Sequence, residues 1–470
     1  MGQALAADYL VVGAGAMGMA FADTLVAETE RTLVIVDRYH QPGGHWNTAY
    51  PFVRLHQPSA FYGVNSAPLG RDVVDATGPN AGLYELASAG EVVGYFGQVM
   101  QQHLLASGRV RYFPMCEYEG DGRFHSRLTG ETWQVDAGKT VDATYMRVTV
   151  PSMREPPYAV DHGVRCITPN ELVRLTHRAP RYVVVGAGKT GMDACLWLLH
   201  NGVEAAAIQW IMPRDSWLLD REGFQPAEKF ADRLAEGRAR QAGAIRASES
   251  AADLMERLGA AGNFLRIDEA VTPTMYRCAT VSRAELTDLR TITNIVRKGR
   301  VTRITPSAIE LDQGTEPALE DAIYIDCSAD GLERRPPLPV FDGDRITLQS
   351  VRVCQQVFSA AFIAHVEAAF ADDAVKNDLC RPVPHPDSAL DYLKVTAASM
   401  RNQMRWAQEP DLTAWLAGAR LDWFGRNAPK LPDDPEARQR AQAMGLEAAT
   451  ATLAKYDRFI AEAEAAAATA

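Results

Sequence analysis

Gly13-Ala14-Gly15-Ala16-Met17-Gly18 comes directly after the apolar run Tyr9-Leu10-Val11-Val12, and Gly186-Ala187-Gly188-Lys189-Thr190-Gly191 comes directly after Tyr182-Val183-Val184-Val185. In each, the first glycine permits a tight turn, the second lets backbone N–H groups approach an anion, and the third lets a helix pack closely on the preceding strand. A helix that starts there offers the partial positive charge of its N-terminus, so the chemistry of both turns is the binding of a pyrophosphate. The two turns lead into different strand ends. After the first, Leu33-Val34-Ile35-Val36 predicts a second buried strand ending on Asp37 and Arg38; Asp37 lies nineteen positions beyond Gly18, where a carboxylate binds a ribose hydroxyl. After the second, the strand through Ile208, Trp210 and Ile211 ends on Met212-Pro213-Arg214, and a guanidinium there suits a 2′-phosphate unless it is a solvated loop arginine. NADPH is therefore expected over NADH at the second turn. Lys189-Thr190 does not complete a triphosphate-binding loop, because the glycine spacing is too short.

Turns of this kind need buried parallel strands with helices between them. Met19, Ala20, Phe21, Leu25 and Val26 predict the first helix, and Met192, Ala194, Cys195, Leu196, Leu198 and Leu199 the second, which Asn201-Gly202 stops. The fold class expected is α/β, with two Rossmann-like dinucleotide-binding domains. Between Asp220 and Arg290 the chain is polar and helix-favouring, with Phe230, Leu234, Leu254, Leu258, Phe264 and Leu265 spaced for amphipathic packing; it reads as a helical insertion, either a lid or a structural or oligomer contact. Ile346 to Gln349 predicts a strand, Ser350 to about Phe370 a long apolar helix, and the Ala- and Glu-rich stretch after Pro432 a terminal helix.

Composition narrows the function classes. The 470 residues are 47% hydrophobic and 23% charged, a globular mix, and 48 basic against 59 acidic residues give a net charge of −11, which opposes docking on nucleic acid or an anionic membrane. With no apolar window of about 18 residues and no basic leader before Tyr9, a cytoplasmic location is expected. The seven cysteines lie far apart with no CxxC pair, which predicts neither a disulfide framework, a zinc site nor a redox pair, but buried thiols acting as small hydrophobes. No metal site is expected.

With both turns in place, the order of motifs resembles the two-dinucleotide flavoprotein monooxygenases, the class of the flavin-containing monooxygenases and Baeyer–Villiger enzymes. Gly43-Gly44-His45-Trp46 looks like that family's GGxW loop, Arg54-Leu55-His56-Gln57-Pro58-Ser59 like the segment that lies along FAD in plant flavin monooxygenases, and Met212 to Trp217, with Arg214 and Ser216, like its NADPH loop. The resemblance covers the first half of the chain and Asp326 to Gly331. Ala143-Thr144-Tyr145 replaces the family's ATG, and Ile167 stands where the Baeyer–Villiger histidine fingerprint would have its histidine.

The resemblance implies an FAD domain in two pieces, 1–165 and 326–470, embracing an NADPH domain at 166–325 with its insertion at about 220–290. It also assigns Met115, Cys116 and Asp330 to the cofactor sites, and aims the N-terminus of the helix after Gln349 at the flavin. Arg54, His56 and Gln349 are the candidates for catalysis. The activity implied is oxygenation of a small organic substrate by O₂ through a flavin C4a-hydroperoxide. A flavin-dependent NADPH reductase or dehydrogenase, an oxidase, or a non-catalytic dinucleotide sensor would carry the same motifs. A homo-oligomer is possible.

Overall fold

The computed structural model describes residues 2–329 and 331–469. The fold is α/β, as the motif order predicts, with thirteen α-helices among the described residues. An N-terminal sheet has the strand order Phe341–Asp342, Arg345–Thr347, Thr132–Asp142, Gln3–Val12, Leu33–Val36, Val110–Phe113, with Cys116–Gly120 and Arg123–Ser126 as an added antiparallel pair. From Arg345–Thr347 to Val110–Phe113 every pairing is parallel. Parallel strands covered on both faces read as continuous apolar runs, and Leu33 to Val36 are all buried.

A central five-stranded parallel sheet has the order Ile295–Val296, Ile208–Ile211, Arg181–Val185, Ala322–Asp326, Arg165–Ile167. Val301–Ile304 and Ala308–Leu311 do not join it. They form a separate sheet with Gly314–Pro317 and Ala159–Val160.

The insertion contains the helices Ala227–Ala247, Ala251–Ala260 and Arg283–Leu289. It also contributes Phe264–Leu265 and Met275–Val281, which flank Ser216–Asp220 in a small third sheet. Tyr276, Phe264 and Tyr392 meet edge to face beneath it, with ring centroids 5.1–5.6 Å apart.

The expectation for the cysteines is corrected here. Cys278, in Met275–Val281, and Cys354 form a disulfide across a sequence separation of 76. It ties the third sheet to the turn that enters the helix Gln356–Ala369. Spacing along the chain carried no trace of this pairing, which the tertiary fold makes. Cys116, Cys166, Cys195, Cys327 and Cys380 remain thiols, and all but Cys166 are buried.

That entering turn also corrects the long helix. The helix begins at Gln356, not Ser350, because Cys354 takes a left-handed backbone (φ 54°) that an α-helix does not tolerate. Beside it, the Arg352 guanidinium is 2% exposed, pairs with Asp422 at 2.5 Å and lies 3.9 Å from the Phe358 ring centroid and 5.0 Å from that of Trp406. Removing one partner leaves the other charge buried and uncompensated. Asp422→Ala is therefore expected to destabilise the protein by about 3–5 kcal/mol, read as a lower urea midpoint, whereas Asp422→Leu combined with Arg352→Met should recover most of that loss.

Candidate functional site

Both glycine turns are built as their sequences demand. Gly13 and Gly186 have φ of 103° and 124°, and a Cβ on Gly18 or Gly191 would collide with the carbonyl oxygen of Gly13 or Gly186. The middle glycines face open space. A Cβ at Gly188 would meet nothing within 4 Å, and one at Gly15 only the Gly44 Cα at 3.6 Å. Gly15 and Gly188 are also the N-caps of the helices Ala16–Glu28 and Lys189–His200, and neither helix has a side-chain cap. The first N–H groups of both helices are thus free for an anion, which fits the phosphates of a dinucleotide.

The two turns open on one cavity of about 2830 Å³, which also reaches the insertion and the Arg352 to Val357 segment. Ordinary ligand pockets span roughly 300–1,000 Å³, so this space exceeds what a single small ligand needs. At the first turn, Asp37 is buried. Its Oδ2 accepts from the Ala14 N–H at 2.5 Å and its Oδ1 from the Tyr39 N–H at 2.7 Å, and burial raises its pKa against those bonds. The Gly43-Gly44 loop folds over the turn, with Gly43 N–H donating to Ala14 O at 2.9 Å, and Trp46 Nε1 donates to the Tyr62 hydroxyl at 2.8 Å.

Between the turns lies a charged cluster. Arg221, fully buried, donates to the His56 carbonyl (3.1 Å), Asn80 Oδ1 (3.1 Å) and Glu285 Oε2 (2.7 Å). His56 Nδ1 accepts from the Thr280 backbone N–H at 3.2 Å, which fixes the neutral tautomer with its proton on Nε2. Burial, and then the charges of Lys189 and Arg221, push the His56 pKa down to about 3. Burial opposes ionisation of Glu285, but Lys189 and Arg221 outweigh it and its pKa is lowered. Lys189 pairs with Asp193, whose Oδ2 accepts from the Tyr50 hydroxyl at 2.6 Å. Phe52 stacks on Trp197 behind them, centroids 5.3 Å apart.

At the far end of the second turn, Arg214 is 2.8 Å from Asp387, which Arg277 (2.7 Å) and Arg334 (3.3 Å) share. Burial opposes its charge, yet Arg214 and Arg277 hold the Asp387 carboxyl far below its ordinary range. Three guanidinium groups thus meet at one carboxylate, and guanidinium groups match phosphate oxygens in geometry as well as charge.

Residues 11–70 match the NAD(P)-binding Rossmann-like domain family. Uncharacterized protein Rv2000 of Mycobacterium tuberculosis and uncharacterized protein Mb2023 of Mycobacterium bovis are each 57% identical to this chain over 438 residues, covering 93% of it and 81% of theirs. The chain belongs to the family of these two proteins. Cyclohexanone monooxygenase from Rhodococcus sp. Phi1 bound to NADP+ is a solved structure similar to it at a TM-score of 0.46 and 14% identity, covering 95% of this chain and 98% of that one.

The cavity wall brings together Gly13, Gly15, Ala16, Met17, Asp37, Arg38, Gly44, His45 and Trp46 with Arg54, Leu55, His56, Gln57 and Cys116. From the second turn come Gly186, Gly188, Lys189, Thr190, Arg214 and Ser216. Gly18 and Gly191 pack behind their turns and do not face it. Met115 stands off the wall, its N–H donating to Tyr39 O at 2.9 Å. Gln349 is not brought to the cavity either: it is 3% exposed, and its amide exchanges hydrogen bonds with the Leu338 backbone at 2.9 and 3.1 Å. Asp330 lies outside the described residues. Among the described residues no group of three or more His, Cys, Asp or Glu could hold a metal, and no helix is long and apolar enough to cross a membrane.

Sequence reasoning missed Tyr50, Asp193, Arg221, Thr280, Glu285 and Asp387. Asp193 carried a signal, one helical turn after Lys189; the others arrive from distant segments.

Burial also holds the His45 pKa down at about 4. Folded pKa values of about 4 and 3, against roughly 6.5 unfolded, mean that the folded state binds fewer protons between those limits. Stability is then full above about pH 6.5 and falls with pH toward 3, by at most about 1.4 kcal/mol per pH unit for each ring. Urea midpoints at pH 7.5 and 5.0 should show this drop, and His56→Gln should make it shallower.

Proposed function

We propose that this protein is an FAD- and NADPH-dependent oxidoreductase, and that it oxygenates a small organic substrate. The observation that carries the reading is the opening of two uncapped glycine-turn helices on one shared cavity. FAD held by the first turn would supply two-electron chemistry between NADPH as hydride donor and O₂ as the source of the oxygen atom.

The chain's own groups position and exclude. Backbone N–H groups at Gly15–Met17 and Gly188–Thr190 bind the pyrophosphates, and Asp37 braces the first turn while leaving carboxylate lone pairs for a ribose hydroxyl. Arg214, with Arg277 and Arg334 around Asp387, receives the 2′-phosphate. Neutral His56 holds a proton on Nε2 across the physiological range, available as a hydrogen-bond donor that carries no charge into the site. Arg54, whose Nη1 donates to Leu86 O at 2.8 Å, holds the segment before it. Trp46 and Tyr62 wall the cavity with rings that keep water away from reactive species.

Purified protein should bind FAD non-covalently, and Asp37→Ala should lose occupancy, measured by absorbance after gel filtration. NADPH should reduce the bound flavin much faster than NADH. Hydrogen bonds to charged groups contribute roughly 1.5–3 kcal/mol, so Arg214→Ala should raise the NADPH Kd about 10–150-fold and leave that for NADH nearly unchanged. Equal use of the two nucleotides by the unmutated protein would reject the 2′-phosphate site. The reaction class is tested by the fate of oxygen: ¹⁸O from ¹⁸O₂ in the product supports monooxygenation, and turnover without oxygen, or with stoichiometric peroxide and no label, replaces it by a reductase or an oxidase.

A further inference from the structure

The cavity wall contains a second redox-competent group that the oxygenation reading does not use. Cys278 and Cys354 both face the cavity, and while Cys278 is buried, Cys354 is only half-buried. Exposed disulfides are the more labile ones, and this one lines the cavity. Both cysteines also hold left-handed backbones, with φ of 57° and 54°, which side-chain-bearing residues enter at a cost and which cluster at functional positions. The Tyr276 hydroxyl lies 3.5 Å from Cys278 Sγ; the sulfur carries no proton in the disulfide, so the tyrosine is the donor. Burial keeps that hydroxyl protonated, its pKa far above the ordinary value.

We propose that Cys278–Cys354 is a reversible redox site, opened by a small-molecule thiol that enters the cavity and attacks Cys354 Sγ. The attacking thiolate forms a mixed disulfide with Cys354 as the Cys278–Cys354 bond breaks, and the electron pair leaves on Cys278 Sγ, where the Tyr276 O–H donates to the new thiolate. A second thiolate attacks the sulfur of the bound small molecule and expels Cys354 as its thiolate. Both cysteine thiolates then take protons from solvent. In sum two small thiols are oxidised to their disulfide, and the protein disulfide is reduced to two thiols. No nucleotide or flavin enters this exchange, so its outcome is separable from that of the oxygenation reading.

The test uses the full-length folded protein with reduced glutathione as the probe, followed by native-state alkylation and peptide mass spectrometry. Cys278 and Cys354 are expected to become alkylatable together at low-millimolar glutathione, while Cys116, Cys195, Cys327 and Cys380 stay protected. In Cys278→Ser, glutathione disulfide should leave its adduct on Cys354, at least 10-fold more than Cys354→Ser accepts on Cys278. Tyr276→Phe should slow reduction of the pair by about 10-fold or more, with the disulfide still formed at the start. Reduction only after denaturation would make the bond a structural staple. Alkylation of both residues before any thiol is added would show that the bond does not form. An adduct favouring Cys278, or an unchanged rate in Tyr276→Phe, would overturn the assigned chemistry.

Discussion

A helix that begins at a glycine turn leaves its first backbone N–H groups without a side-chain acceptor, and this chain does so twice. Four other helices have a serine at that position instead: Ala89–Val99, Ala251–Ala260, Arg283–Leu289 and Ala389–Trp406 each begin after a serine whose side chain accepts from the third helical residue. At Gly15 and Gly188 no such side chain is present, and the space beside each backbone is left open. Much else depends on that constraint. The helices must sit close enough to their strands for Gly18 and Gly191 to touch the carbonyls of Gly13 and Gly186, and both turns line the same cavity.

The charges between the turns are arranged so that none is left alone. Arg221 is wholly buried yet satisfies its fork on a backbone carbonyl, an amide and a carboxylate. Its partner Glu285 also caps its own helix, accepting from the Ser282 N–H at 2.8 Å. The same arginine raises the cost of a second positive charge at His56, which keeps that ring neutral. Near the strand end after the second turn, Arg214, Arg277 and Arg334 share the Asp387 carboxylate.

Legibility in the sequence tracked distance along the chain. The turns, their helices and the buried strand before Asp37 could be read because each is made by residues within a few helical turns of one another. Asp37 lies on the cavity wall, where it braces the turn through Ala14. The His56–Thr280 and Arg214–Asp387 contacts span 224 and 173 positions and left no local pattern. Gln349 was misplaced for a local reason: an apolar run reads as helix from Ser350, but the left-handed turn at Cys354 delays the helix to Gln356 and leaves Gln349 bonded to the Leu338 backbone. The disulfide was invisible because it depends on where the third sheet comes to rest.

The N-terminal sheet is closed by a latecomer. Arg345–Thr347 lies parallel to Thr132–Asp142, and Arg345 pairs with Asp142 across 203 positions. On a ribosome adding roughly 5–20 residues per second, Thr132–Asp142 waits about 10–40 s for its neighbour to be made. During that interval the central sheet, whose strands all lie between Arg165 and Asp326, can emerge complete. The edge of Thr132–Asp142 meanwhile offers unpaired backbone groups to any other strand within reach. The order of synthesis therefore lets the central sheet finish before the N-terminal sheet acquires its last two strands.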